Sequence, residues 1–265
     1  MSGLLAESIT IRFGGLTAVD DATIEVPEGG FIGLIGPNGA GKTTLFNAIN
    51  GFLEPTYGRV LFNDRDITHM RPNERARLGI GRTFQKLELF GRVSVFDNLL
   101  IAAESAESRL DIVSDLLSLP RRHQEEARCS RIAEEMLDML DLGWARDRRA
   151  ADLPVGHARI VELGRALCIK PKVLLLDEPS SGLDSDETAA FGQLLRRVNE
   201  EIGVGILLVE HDMDLVMEVC KQLYVLDFGR IIAGGSAAEI VKDPVVRSAY
   251  LGEEGDETAP AFAER

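Results

Sequence analysis

Nine consecutive residues, Gly36-Pro37-Asn38-Gly39-Ala40-Gly41-Lys42-Thr43-Thr44, fit the pattern G-x-x-x-x-G-K-[ST] in full. Glycines let the chain curl tightly enough for successive backbone N–H groups to converge on a phosphate, and a helix N-terminus behind them adds its positive dipole end. Lys42 can then reach the β- and γ-phosphates, and the Thr43 hydroxyl can ligate Mg²⁺. A ligand-free glycine-rich turn is the plain alternative. The flanks weigh against it: residues 30–35 read as a short buried strand and residues 45–49 as a helix, the strand–loop–helix setting this chemistry needs.

A second chemical stretch is Val173-Leu174-Leu175-Leu176-Asp177-Glu178-Pro179. Four apolar residues followed by two carboxylates describe a central strand that delivers charge at its C-terminal end, where open α/β sheets bind ligands. Asp177 suits Mg²⁺, through water. Glu178 suits a general base that orients and deprotonates an attacking water. Alone, such a pair is as readily a solvated turn; beside a phosphate loop it reads as a hydrolytic site.

The elements that must carry these groups follow in order. Residues 8–13 and 22–26 alternate like strands, the second ending in a turn at 27–30, and together they predict an antiparallel patch. Residues 58–62 read as a strand followed by an Asn63-Asp64 turn, Pro72–Leu78 as a short helix and 79–84 as another strand. From about residue 86 to 151 the apolar positions recur at helical spacing, as in Ile132, Met136, Leu137 and Leu140. Thereafter the strand-like runs Val173–Asp177, Gly205–Val209 and 223–226 alternate with helical stretches at 186–200 and Met213–Val219, which predicts a mostly parallel sheet. The fold class is therefore α/β, with an inserted α-helical subdomain. The expected boundaries are a core over about 1–85 and 165–251, a helical subdomain over about 86–164, and an acidic, disordered tail over 252–265.

The 265 residues carry 43 acidic and 29 basic side chains, a formal charge of −14, which argues against a broad nucleic-acid or anionic-lipid surface. Cys129, Cys168 and Cys220 have neither metal-ligand nor disulfide spacing and read as small apolar core residues of a reducing compartment. No signal peptide is visible and no apolar run nears the length of a membrane span, so any membrane role is expected to be peripheral.

With these residues in view, the chain resembles the ABC-type ATPases. The loop at 36–44, Leu-Asp-Glu-Pro at 176–179, Ser-Gly-Leu-Asp at 181–184 and Val-Glu-His-Asp at 209–212 stand in that family's order and spacing, and the resemblance covers about residues 4–251. It implies a P-loop, RecA-like ATPase core. Within the family the chain is similar to the ATP-binding subunits of branched-chain amino-acid importers, on Phe-Gly-Gly-Leu-Thr-Ala-Val at 13–19, Gly-Arg-Thr-Phe-Gln at 81–85 and Val-Glu-His-Asp-Met-Asp-Leu-Val-Met at 209–217. The resemblance implies that Phe13 stacks on adenine and that Gln85 contacts Mg²⁺ and the attacking water. It implies that His211 hydrogen-bonds the γ-phosphate and that Asp184 communicates across a dimer.

The family's Leu-Ser-Gly-Gly-Gln signature is altered here to Leu153-Pro154-Val155-Gly156-His157, with a helix expected through Cys168. The serine hydroxyl, one glycine and the glutamine are gone. Gly156 and the helix dipole remain to face a phosphate on the opposite subunit. By resemblance, two chains (copies or paralogues) sandwich two ATP molecules, with Pro154, Val155, Gly156, His157 and Asp184 acting in trans. Leu87, Leu89, Phe90, Val93 and Phe96 are expected to offer membrane permeases an apolar groove, with an external solute-binding protein as indirect partner and no nucleic acid. The cytoplasmic face of the plasma membrane is the expected location. Rival readings are a lipid or polysaccharide exporter subunit, a non-transport ABC ATPase, and a regulatory module that holds ATP without turnover.

Overall fold

A computed structural model describes residues 3–83, 87–107 and 119–251. The chain divides into two compact units, one of residues 1–80 with 172–265 and the other of residues 81–171.

The first unit is built on two sheets. In the antiparallel sheet, β1 (Gly3–Phe13) lies between β2 (Leu16–Pro27) and β4 (Tyr57–Phe62), and β5 (Arg65–Asp66) continues the edge. β1 begins five residues before the expected 8–13, and its register shifts between Ala6 and Ile9, around Ser8 at φ 50°. Such a bulge swaps the faces that alternating side chains occupy, so the periodicity of the first half does not run on into the second.

The second sheet has the order β10-β9-β3-β8-β7-β6, with β3 (Phe31–Ile35), β6 (Ile80–Arg82), β7 (Val173–Asp177), β8 (Gly205–Val209), β9 (Gln222–Asp227) and β10 (Arg230–Gly235). β9, β3, β8 and β7 run parallel, and β10 returns antiparallel to β9. Every residue of β3, β7 and β8 is buried, as continuous apolar strands covered on both faces must be. Helix α1 (Lys42–Asn50) touches β1 and β2 of one sheet and β7 and β8 of the other, so Leu45, Phe46, Ala48 and Ile49 join both into one core.

Around this core lie α2 (Pro72–Leu78), α6 (Ser185–Ile202), α7 (Met213–Val219), α8 (Ala237–Ile240) and α9 (Pro244–Leu251). α2 ends at Gly79, φ 103°, which caps the helix rather than opening the strand expected from residue 79; Phe84, its expected end, lies outside the described residues. Residues 230–251, to which the sequence pattern assigns no helix or strand, fold as β10, α8 and α9. The expected tail, 252–265, also lies outside the described residues.

The second unit is helical. α3 (Val95–Glu107), α4 (Leu119–Met139) and α5 (Val155–Cys168) pack pairwise around Leu99, Ile132, Met136, Leu140, Val161 and Leu167. A Cβ on Gly164 would stand 2.8 Å from both Leu140 and Leu99 side chains, so the absent side chain is what lets α5 approach its neighbours.

Candidate nucleotide-binding and hydrolysis site

Three parallel strands bring the chemistry to one edge. Val209 pairs with Leu34 on one side and with Asp177 on the other, so β3, β8 and β7 end level with one another. The chain leaves β3 as Gly36, β7 as Glu178 and β8 as Glu210.

The loop after β3 needs its glycines. Gly36 (φ 151°) would set a Cβ 2.0 Å from the Leu226 carbonyl oxygen, and Gly41 (φ 104°) one 2.6 Å from the Ala18 oxygen. Gly36, Pro37 and Ala40 are buried, whereas Asn38 and Gly39 are exposed. Gly41 caps α1 with no side-chain hydrogen bond, so the first-turn amides of that helix have no side-chain acceptor there. Lys42 is 7% exposed, and its Nζ donates to the carbonyls of Gly36 at 2.5 Å and Pro37 at 2.9 Å. The ammonium is thereby held inside the curl of the loop. Thr43 is exposed and Thr44 half-buried, on the first turn of α1.

Asp177 ends β7 with 8% exposure. Glu178 is half-buried at φ 47°, a left-handed conformation uncommon outside glycine, and its N–H donates to the Val209 carbonyl at 2.8 Å. After β8, His211 presents a side chain 61% exposed, with Nδ1 3.7 Å from Glu210 Oε2. Phe13 stands half-exposed at the end of β1, beside the Gly14-Gly15 turn. Asp184 is the N-cap of α6: its Oδ1 accepts from the Glu187 N–H at 2.9 Å, and Glu187 returns the bond. Gln85 lies outside the described residues.

These groups fit a triphosphate and a hard cation. The uncapped amides and the buried ammonium offer donors to anionic oxygens, and Asp177 with the Thr43 hydroxyl offers oxygen ligands to Mg²⁺. No cluster of three or more His, Cys, Asp or Glu suited to a metal exists among the described residues.

In the helical unit, Pro154 is the N-cap of α5 and has no side chain able to cap it. Val155 is exposed, Gly156 buried and His157 half-buried. The His157 ring meets Trp144 edge-on, with centroids 4.9 Å apart and planes at 85°, and the Arg148 guanidinium lies 4.8 Å from the centre of the Trp144 ring. His157 Nδ1 is buried without a hydrogen-bond partner among the described residues, and the ring packs against Trp144.

The sequence model described as "ABC transporter" matches residues 19–181, and one described as "Branched-chain amino acid ATP-binding cassette transporter" matches residues 230–256. The chain belongs to the ABC transporter family. It is 37% identical to the high-affinity branched-chain amino acid transport ATP-binding protein LivG of Salmonella typhimurium, over 94% of this chain and 98% of that protein. It is 35% identical to the lipopolysaccharide export system ATP-binding protein LptB of Acidithiobacillus ferridurans, over 96% and 99%. A solved ATP-binding cassette of an ABC transporter in its ADP conformation matches with a TM-score of 0.81 at 34% identity, over 96% of this chain and 100% of that one.

Several side chains that brace this ATPase cassette carry no signal in the sequence. Arg75 is 1% exposed, and its guanidinium donates to Ala48 O at 2.9 Å, Ile49 O at 2.5 Å, Thr68 O at 2.8 Å and Met70 O at 3.0 Å. It satisfies the last carbonyls of α1, and burial lowers its pKa to about 10. Only its place in a polar helix, Pro-Asn-Glu-Arg-Ala-Arg-Leu, was visible, and nothing there separates Arg75 from Arg77. Asn98 is fully buried and clamps residues 90–94, accepting from the Phe90 N–H at 2.9 Å and donating to Phe90 O at 3.1 Å and Ser94 O at 2.9 Å. Of the apolar residues expected in the groove, Leu87 and Phe90 are exposed and Leu89, Val93 and Phe96 half-buried. Arg165 stacks over Phe90 and Arg146 over Phe96. No described helix is long and apolar enough to cross a membrane.

Proposed function

We propose that this cassette powers the import of branched-chain amino acids, or a similar small solute, by hydrolysing ATP in a head-to-tail dimer. Overall identity does not decide between import and export, since the LivG and LptB relatives lie at 37% and 35%. The observation that carries the reading is the match of residues 230–256, which include β10, α8 and α9, to a branched-chain amino acid cassette model.

In this mechanism the loop amides and Lys42 bind the triphosphate of ATP while Phe13 stacks on adenine. Mg²⁺, when bound, neutralises phosphate charge; Thr43, Asp177 and Gln85 are the residues to hold it. Glu178, held at φ 47°, accepts a proton from the water that attacks the γ-phosphorus, and the bond from that phosphorus to the bridging oxygen breaks to release ADP and phosphate. His211 donates to the γ-phosphate. The N-terminus of α5 in one chain, with Val155, Gly156 and His157, faces the ATP of the other, and Asp184 lies on the same dimer contact. Closure of two cassettes passes to the permease subunits through the surface around Leu87 and Phe90. The cassette then works peripherally on the cytoplasmic face of the membrane, with a second copy or a paralogue, two permeases and an external binding protein.

The test is the ATPase rate of the complex reconstituted with its permeases. Import predicts stimulation by binding protein loaded with leucine, isoleucine or valine, and none by unloaded protein. Co-purification with lipid-exporting permeases, and indifference to amino acids, would replace this reading with the exporter one.

A further inference from the structure

Glu210, between the β8 strand end and His211, has no exposed surface. Both of its oxygens act as acceptors. Oε1 takes the Ser180 N–H at 2.9 Å and the Ser180 Oγ–H at 2.6 Å; Oε2 takes the His211 N–H at 3.1 Å and, at 3.5 Å, the Asp212 N–H. Ser180 stands two residues beyond Glu178, with Pro179 between them. Proline fixes its own φ, so the step from Glu178 to Ser180 is stiff, and a shift at one is felt at the other. The Glu178 N–H to Val209 O bond closes the other side of the same ring of contacts.

We propose that Glu210 is a positioning residue for hydrolysis, locking the loop that carries Glu178 to the loop that carries His211. The proposal rests on the roles given to those two residues above. A left-handed φ at a non-glycine residue is strained and persists only where its surroundings over-determine it. Glu178 sits in such a conformation, and the Glu210–Ser180 bridge is the constraint that holds the residue after Pro179. Glutamine in place of Glu210 keeps the volume but must turn its NH₂ toward the Ser180 donors or toward the amides of His211 and Asp212. One end of the lock then opens whichever way the amide turns.

The experiment uses the full-length chain in its reconstituted complex, comparing wild type, Glu178→Gln, Glu210→Gln, Ser180→Ala and Ser180→Thr by steady-state ATP hydrolysis and thermal melting. Loss of a side chain that orients a metal ligand costs about 10–100-fold, and a fall in kcat of the same order is expected for Glu210→Gln. Ser180→Ala falls less, and Ser180→Thr, which keeps the hydroxyl, returns to the wild-type rate. The KM for ATP stays within about threefold throughout, because binding and the chemical step separate in these parameters. If Glu210→Gln fails to fold, the Ser180 pair decides. Wild-type kcat in Glu210→Gln and Ser180→Ala would overturn the proposal. So would a parallel loss of kcat, ATP affinity and melting temperature that Ser180→Thr does not rescue. Wild-type turnover in Glu178→Gln would instead overturn the reading of the site on which the proposal stands.

Discussion

Lys42 is the residue whose setting says most about the nucleotide. Its ammonium is buried and already bonded to two carbonyls of its own loop, so a bound phosphate must compete with them. A charge-assisted hydrogen bond contributes about 1.5–3 kcal/mol, and Lys42→Ala should weaken ATP binding by about ten- to a hundredfold by fluorescent-nucleotide titration; unchanged affinity would remove Lys42 from the site. The loop was legible because four fixed positions, Gly36, Gly41, Lys42 and Thr43, stand at a spacing with no other common use. Glu210 was not: it was read as one letter of Val-Glu-His-Asp, and only the fold brings Ser180, 30 residues away, onto its carboxylate. Asp184 was read through the family resemblance alone, while the structure also gives it a capping box with Glu187.

Among the elements, strands with continuous apolar runs were read to the residue, as at Val173–Asp177 and Gly205–Val209, because burial on both faces leaves no competing pattern. β1 was half-read because a bulge breaks its alternation, and α8 and α9 were missed because their few residues carry too little periodicity. Helix α1 depends on a partner far along the chain, Arg75, for its last carbonyls. Arg75→Met should lower stability by on the order of 3 kcal/mol, read as a shift in denaturant midpoint, because the carbonyls it leaves are buried. A change below about 0.5 kcal/mol, the usual range for surface sites, would show those bonds to be replaceable. Helix α5 depends on Trp144, and an aromatic pair contributes about 0.5–1.5 kcal/mol. Trp144→Ala should therefore slow dimer turnover about two- to tenfold, whereas Trp144→Phe recovers most of it and ATP binding to the single chain is untouched. Trp144 and His157 lie 13 residues apart in sequence, in a segment where nothing marks an aromatic pair.

The molecule as a whole buries its three cysteines. Burial pushes the Cys168 thiol up to about 12, and burial, then the nearby Glu210 charge, push Cys220 up as well. A raised folded-state pKa on an acid means the unfolded chain loses its proton first, so each thiol lowers stability as pH rises from its unfolded value near 9 toward 12. The native protein should resist iodoacetamide at pH 8 and label at all three sites in denaturant, by mass spectrometry; fast native labelling would contradict the packing. The central claim is that Glu178 drives turnover while the altered signature still closes a dimer. Its most direct test compares wild type with Glu178→Gln for ATP hydrolysis and for Mg-ATP-dependent dimerisation. Loss of a general base costs about 10²–10⁴-fold, so the variant should lose turnover on that scale and yet hold a stable dimer in Mg-ATP alone. Turnover of Glu178→Gln near the wild-type rate, or failure of both proteins to dimerise and hydrolyse even in the complex with the permeases and any paralogous cassette, would contradict it.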